Sequence, residues 1–374
     1  MIYDVAIIGA GIAGASLAAC LDPKMHVIVI EQEERAGLHA TGRSASFWDE
    51  CYGGPDVQPL TTASGSFLRS PPATFSDRGF LLPRGVLYVG RGADAAAIAE
   101  MEAEFAGSGV ELERLSDGEV RNRVPILKSE WSEGLYGADC SDIDVAGLHA
   151  SYLRQARRSD VHFALRSCVD AAEWGSGRWS VSTSTGQIEA RTLVNAAGAW
   201  ADEIAELAGV QSIGITPFRR TISQVRTDPL APKEMPLVID INGGFYFKPE
   251  SGGRLWLSPH DETLSPPCDA APEELDIAVA ISRFEEASVC RVAAVEHSWA
   301  GLRSFAPDRL PVYGIDTDNP AFFWCAGQGG FGIQTAPAAA CLCAALLGGE
   351  PQSSSIDASL YNPSRFRRAA TSAL

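Results

Sequence analysis

Three glycines, Gly9, Gly11 and Gly14, followed by an acid at Glu31, carry the plainest chemistry in this sequence. A glycine at the first position permits a tight turn. At the second it lets backbone approach a pyrophosphate, and at the third it lets a helix pack closely on a strand. A helix opening here would aim free N–H groups and its positive dipole end at phosphate oxygens. Glu31 stands at about the spacing expected of a ribose-hydroxyl acceptor. The pattern predicts a dinucleotide cradle, and the competing reading is a glycine-rich turn with a chance acid.

The surrounding residues decide between these readings. Val5–Ile8 is a short apolar run of the kind buried on both faces of a parallel sheet, Ala15–Leu21 reads as a helix, and His26–Ile30 is a second buried strand ending at Glu31. Together they form one βαβ unit. A loop with Thr41-Gly42-Arg43-Ser44-Ala45-Ser46 follows. Further on, the spacing predicts a strand at Gly85–Val89 and helices over Ala93–Ala106 and Leu148–Arg158. It also predicts a hairpin from Trp179–Ser182 and Gln187–Ala190, a strand Thr192–Gly198, and a helix Ala199–Ala208. Short alternating strands such as Ile222–Val225, Gly244–Lys248 and Arg254–Leu257 then indicate an antiparallel sheet. Phe322–Ala326 returns to a buried strand, running into Gly327–Gly332 and an apolar helix over Ala336–Leu347.

The fold class is therefore mixed α/β. A Rossmann-type nucleotide domain (1–80, 145–215 and 300–374) is interleaved with a smaller antiparallel-sheet domain (81–144 and 216–299). A chain of 374 residues exceeds the size at which one core stops growing, so two domains are the default. The last dozen residues are expected to be loosely held.

The net charge of −17 disfavours nucleic acid and anionic membrane surfaces as partners. Nine cysteines without a CxxC pair suit neither a disulfide framework nor a zinc site, so reduced thiols in a cytoplasmic protein and no metal are expected. Cys341 and Cys343, in an Ala-rich stretch, read as small core fillers. No apolar run reaches the roughly 18 residues of a membrane span, and Met1-Ile2-Tyr3-Asp4 lacks the basic start of a leader.

The glycine pattern alone does not separate NAD from FAD. Three distant segments do: Thr41–Ser46, Asn195–Gly198 at the end of a second strand, and Gly327–Gln334 opening a late helix. A long cofactor touching all three suits FAD. These segments, with Val194-Asn195-Ala196-Ala197-Gly198-Ala199-Trp200, Trp299-Ala300-Gly301-Leu302-Arg303 and Gln328-Gly329-Gly330-Phe331-Gly332-Ile333-Gln334, occur in the order that resembles the D-amino-acid oxidase superfamily, nearest to its D-arginine dehydrogenase and glycine-oxidase-like members. The likeness spans nearly the whole chain.

What the resemblance implies can be carried over residue by residue. The cofactor wall would comprise Gly9, Gly11, Ile12, Ala13, Gly14, Glu31, Gln32, Thr41, Gly42, Arg43, Ser44, Ala45, Val169, Ala196, Gly198, Trp200, Gly301, Arg303 and the run Gln328–Gln334. His39 lies in the same loop as Thr41. Related flavoproteins that attach FAD covalently use a cysteine where this chain has Ala306–Pro311, so the FAD is expected to be noncovalent. Arg303, in an expected Gly-Leu-Arg turn, would grip a substrate carboxylate with a guanidinium fork. By type alone it reads as a structural or surface arginine. Arg220, Tyr246 and Tyr52 would face the substrate with it; a solvated basic pair and core aromatics are the bland readings.

Gln334 and the glycines before it would lie beside the flavin pyrimidine ring. Phe47, Asp49, Val86 and Ile239 would line the side-chain pocket, with Val86 standing where arginine-selective relatives carry a carboxylate. Apolar walls disfavour a cationic substrate, although Asp49 offers a displaced negative charge. The expectation is oxidative deamination of a small neutral D-amino acid. Alternatives are oxidation of an N-substituted glycine, of a 2-hydroxy acid, or flavin binding without turnover. The electron acceptor has no motif.

Overall fold

The computed structural model describes residues 1–349 and 356–366, so the expectation for the chain's end falls largely on residues outside the described ones. Ile2–Ile8 forms the central strand of an eight-stranded sheet, parallel to Val27–Ile30 on one side and Gly186–Asn195 on the other. Its burial explains its continuous apolarity. Ala6 and Ile8 face one core, while Val5 and Ile7 face another. The Ile12–Cys20 helix follows immediately.

Gly186–Asn195 merges the second hairpin arm and the next strand, which the sequence reading had separated. Its first half pairs antiparallel with Arg178–Thr183, and its second half pairs parallel with Phe322–Ala326. One strand can do both because the hairpin partner ends where Phe322 begins to pair. The final helix spans Gly332–Gly348, starting before the Ala336 expected, with Pro337 inside it.

The second sheet has nine strands and is mostly antiparallel. Side chains on its strands alternate between two faces. Leu87, Val238, Phe247 and Leu257 pack under the Glu274–Ala287 helix through Phe284. Val86, Tyr88, Ile239, Tyr246 and Ile222 share the opposite face. A small sheet of Phe47–Trp48, Leu81–Pro83 and Ser141–Ile143 sits apart from both.

The turn expected at Gly301–Arg303 is absent. These residues lie within a 15-residue strand, Arg291–Phe305, paired to Thr216–Asp228. The strand also runs straight through the boundary drawn at residue 300. Gly301 marks a close approach rather than a turn, since a Cβ there would meet Arg43 Cβ and Arg303 Nη1, each at 3.1 Å. Cys343 is a core filler, but Cys341 is exposed. Among the described residues, no helix is long and apolar enough to cross a membrane.

Candidate active site

A groove of about 230 Å³ runs along the carboxyl end of the parallel strands, where open α/β sheets bind ligands. Five segments form its wall. The first carries Gly9, Gly11, Ile12, Ala13, Glu31 and Gln32. The second carries His39, Thr41, Arg43 and Ser44. Val169, Ala196, Gly198 and Trp200 make the third. Gly301 and Arg303 make the fourth, and Gln328, Gly329, Gly330, Gly332 and Ile333 the fifth.

The glycines act through space as their spacing predicted. A Cβ on Gly9, whose φ is +103°, would lie 2.4 Å from the Ala196 carbonyl oxygen, and one on Gly14 only 2.0 Å from that of Gly9. Strand, turn and helix are thus locked at contact distance. Glu31 accepts from the Ala10 N–H at 2.8 Å. Thr41 Oγ1 accepts from the Ile12 N–H at 2.9 Å, capping a helix whose N-cap Gly11 has no side chain to do so. His39 bonds Glu33 at 2.9 Å and sets its ring against Trp200.

Five expected cofactor residues lie outside the groove wall. Gly14 packs on Gly9, and Gly42 packs on the Gly37 carbonyl. Ala45 is buried with Tyr88 and Tyr246, and Phe331 with Phe305 and Val57. The Gln334 amide is occupied by protein. It accepts from the Asp49 N–H at 3.2 Å and donates to the Tyr52 carbonyl and Thr61 hydroxyl, each at 3.0 Å. It therefore fastens the 49–52 loop to the last helix instead of facing a ligand. The guanidinium of Arg43, though in the wall, pins the 269–270 segment by bonding the Ala270 carbonyl at 2.7 Å and pairing with Asp269.

The two candidate arginines differ sharply. Phe218 stands opposite Arg303 and Arg220 opposite Gly301, so both arginines rise from one face of the paired strands. Arg220 is 3% exposed and already engaged. It donates to the Asp261 carbonyl at 2.7 Å, to Glu262 at 3.1 Å and to the Tyr52 hydroxyl at 3.4 Å. The expected second substrate-facing arginine is thus already paired with an acid that the sequence did not place beside it. Arg303 is 7% exposed, lines the groove, and has no hydrogen-bond or ion-pair partner among the described residues. Burial holds its pKa below the usual arginine value, with Arg220 adding repulsion and the Tyr246 and Tyr52 phenols opposing.

Tyr246 is buried beside Phe47, and Tyr52 packs on Phe47 at 5.0 Å. Val86 and Ile239 are buried in the apolar cluster that backs Tyr246. Asp49 is no open anion: it is 4% exposed, accepts the Tyr88 hydroxyl, and accepts the Cys51 N–H at 3.3 Å. Burial pushes its carboxyl up to about 6, against the opposing pull of those bonds.

Sequence reasoning missed four residues here. Tyr88 partners Asp49, and Glu262 joins Arg220 to Arg309. Trp299 donates to the Arg43 carbonyl at 3.2 Å. His260 lies against the rings of Tyr52 and Tyr246, with φ at +53°. Burial, then the nearby Arg220, lowers its pKa to about 3, so the imidazole is neutral. Two of them carried a usable signal: period-two spacing puts Trp299 on the face of Gly301 and Arg303, and Tyr88 on the face of Val86.

The fold and groove define a dinucleotide-binding protein, and comparison with known proteins makes this specific. The sequence profile of FAD dependent oxidoreductases (DAO) matches residues 4–346, so the chain belongs to that family. It is 24% identical over 367 residues to glycine oxidase of Geobacillus kaustophilus (strain HTA426), covering 92% of this chain and 93% of that protein. The crystal structure of glycine oxidase from Geobacillus kaustophilus superposes with a TM-score of 0.84 at 21% identity, covering 97% of this chain and 98% of that one. L-Proline dehydrogenase from P. horikoshii gives a TM-score of 0.85 at 20% identity, covering 98% of each chain. FAD is the cofactor of this family, and the groove fits it: a five-segment wall serves a long dinucleotide, and its glycines leave no room for side chains on the side where the first helix opens.

Proposed function

We propose that this enzyme oxidises the carbon between the carboxylate and the amine of a small uncharged amino acid, D-amino acids and glycine derivatives included. Arg303 carries the proposal. A buried guanidinium without a protein partner, at the edge of a flavin groove, is costly unless a ligand anion completes it. A carboxylate does so with two parallel hydrogen bonds. Tyr246 and Tyr52, flanking the same region, narrow where the rest of the molecule can lie.

Noncovalently bound FAD supplies the hydride acceptor. The chain supplies position: a carboxylate fixed by Arg303 fixes the adjacent carbon as well, and held geometry is worth several kcal/mol of barrier. The amine must be neutral to assist departure of the hydride. The product imine hydrolyses in water to a keto acid and ammonia, or to a free amine where nitrogen is substituted.

The uncharged side chain is argued from the residues behind Tyr246: Val86 and Ile239 are buried there, Phe47 packs against Tyr246 and Tyr52, and Asp49 is committed to Tyr88 and Cys51. Anaerobic mixing with D-, L- and N-alkyl amino acids, 2-hydroxy acids and cationic amino acids tests the reading by flavin bleaching. Small neutral amines are expected to bleach the flavin fastest. D-Arginine or D-lysine as best substrate would overturn the apolar pocket, and bleaching by hydroxy acids alone would overturn the amine chemistry.

A further inference from the structure

Two pairs of cysteines lie where the last helix packs against its neighbours. Cys325 and Cys343 share one core cluster and are 4% and 0% exposed, sealed between the parallel sheet and the last helix. Cys20 and Cys341 sit on the first and last helices, which pack side by side through Ile12, Ala15, Ile333 and Ala336, but Cys341 is exposed and Cys20 half-buried. Both of the latter line a cavity of about 450 Å³, distinct from the flavin groove, with Phe67, Tyr152 and Leu342 among its walls. A small polar oxidant can therefore reach one pair and not the other.

The positions of the open pair matter. Cys20 ends the helix that begins at Ile12, beside the glycine turn. Cys341 lies midway along the helix that begins at Gly332. Ile12 and Gly332 both belong to the flavin-groove wall. A bond between these sulfurs would tie together the two helices whose N-termini face the dinucleotide.

We propose that Cys20 and Cys341 form a reversible disulfide when the protein meets a hydroperoxide. The Cys341 sulfur attacks one peroxide oxygen, the O–O bond breaks, and hydroxide leaves to become water, giving a sulfenic acid. The Cys20 sulfur then displaces the sulfenic oxygen as a second water. Two thiols lose two protons and two electrons in total, and one hydrogen peroxide is reduced to two waters. Cys341 is suited to the first role: its pKa is lowered to about 7, chiefly by the hydrogen bond from Cys20, so thiolate is present near neutral pH while Cys20 stays protonated as the resolving thiol. The cross-link would restrict the unfolded chain and hold the two helices together.

The FAD-loaded protein is treated with hydrogen peroxide, then denatured, alkylated and weighed intact. The expected result is loss of two of the nine thiols, a mass lower by two hydrogens before alkylation, and a non-reduced peptide joining Cys20 to Cys341 that dithiothreitol releases. The oxidised form should melt a few degrees higher. Cys20→Ser should leave Cys341 as a sulfenic acid that dimedone traps, whereas Cys325→Ser should change nothing in the pattern. An unchanged mass, a link through any other cysteine, or Cys341 passing to sulfinic acid with Cys20 intact in the unsubstituted protein would overturn the proposal.

Discussion

The two walls of this active site are built by different means. The nucleotide wall is made largely of backbone, where Gly9, Gly11 and Gly14 work by what they lack and the first helix offers its N–H groups. The substrate wall we propose is made of side chains raised from one face of a sheet: Arg220, Arg303 and Tyr246, with Tyr52 reaching in from a loop. Backbone roles depend on residues close in sequence. Side-chain roles depend on which distant partner has already claimed each group. Arg220 and Arg303 share a face, yet one is claimed and the other is not.

Removing the unclaimed group should have the largest effect. Arg303→Met is expected to lower kcat/KM by roughly a thousandfold, about 4 kcal/mol, mostly through KM, because a charge-assisted pair to the carboxylate is lost. The yellow flavin spectrum should persist, since the nucleotide wall does not rely on that guanidinium. Steady-state kinetics on the best substrate checks this, and unchanged kinetics would remove the clamp. The nucleotide wall should fail differently. Gly14→Ala pushes a methyl to within 2.0 Å of the Gly9 carbonyl oxygen, and relief requires the helix to move off the strand. A loss of about 3 kcal/mol in stability is expected, at the top of the range for overpacking, together with weaker FAD retention. Denaturant titration and flavin content after gel filtration measure both.

This contrast also explains what the sequence disclosed. The Gly9–Gly14 turn, Glu31 and the surrounding βαβ unit were readable because each constraint is local, and the groove indeed assembles around Gly9 and Gly11. Gly301 misled because glycine in a strand and glycine in a turn look alike until the neighbour is known, and here the neighbour is Arg43, far away in sequence. Gln334 misled for the same reason: its amide faces a loop 282 residues earlier. Glu262 and His260 left no signal at all, because an acid or an imidazole in a loop declares nothing until the fold sets it beside Arg220 or Tyr52.

The buried acid of the substrate wall gives a pH-dependent test. Asp49 has its pKa raised by burial from an ordinary 3.8 to about 6. Between those values folding takes up a proton, so its contribution to stability is complete below the lower value and is lost as pH rises through the upper one. Asp49→Asn keeps an acceptor for Tyr88 but cannot titrate. The stability of the natural protein relative to this variant should therefore fall by on the order of 3 kcal/mol between pH 4 and pH 7. A difference flat across that range, measured by urea unfolding at each pH, would mean that Asp49 is better solvated than its burial indicates.

Arg220→Met gives the smallest expected change and the sharpest comparison with Arg303. The guanidinium at 220 already bonds the Asp261 carbonyl, Glu262 and Tyr52, so a substrate carboxylate gains less from it than from an unclaimed arginine. Its removal should raise KM by about tenfold, near 1.4 kcal/mol, through a loosened Tyr52 and a weaker positive field. Glu262 keeps Arg309 at 2.6 Å, so it is not stranded without a partner. A KM increase as large as that of Arg303→Met would show that substrate displaces Glu262 and recruits both arginines. The double variant separates the cases: independent roles give additive free energies, whereas a shared carboxylate makes the second loss smaller than the first.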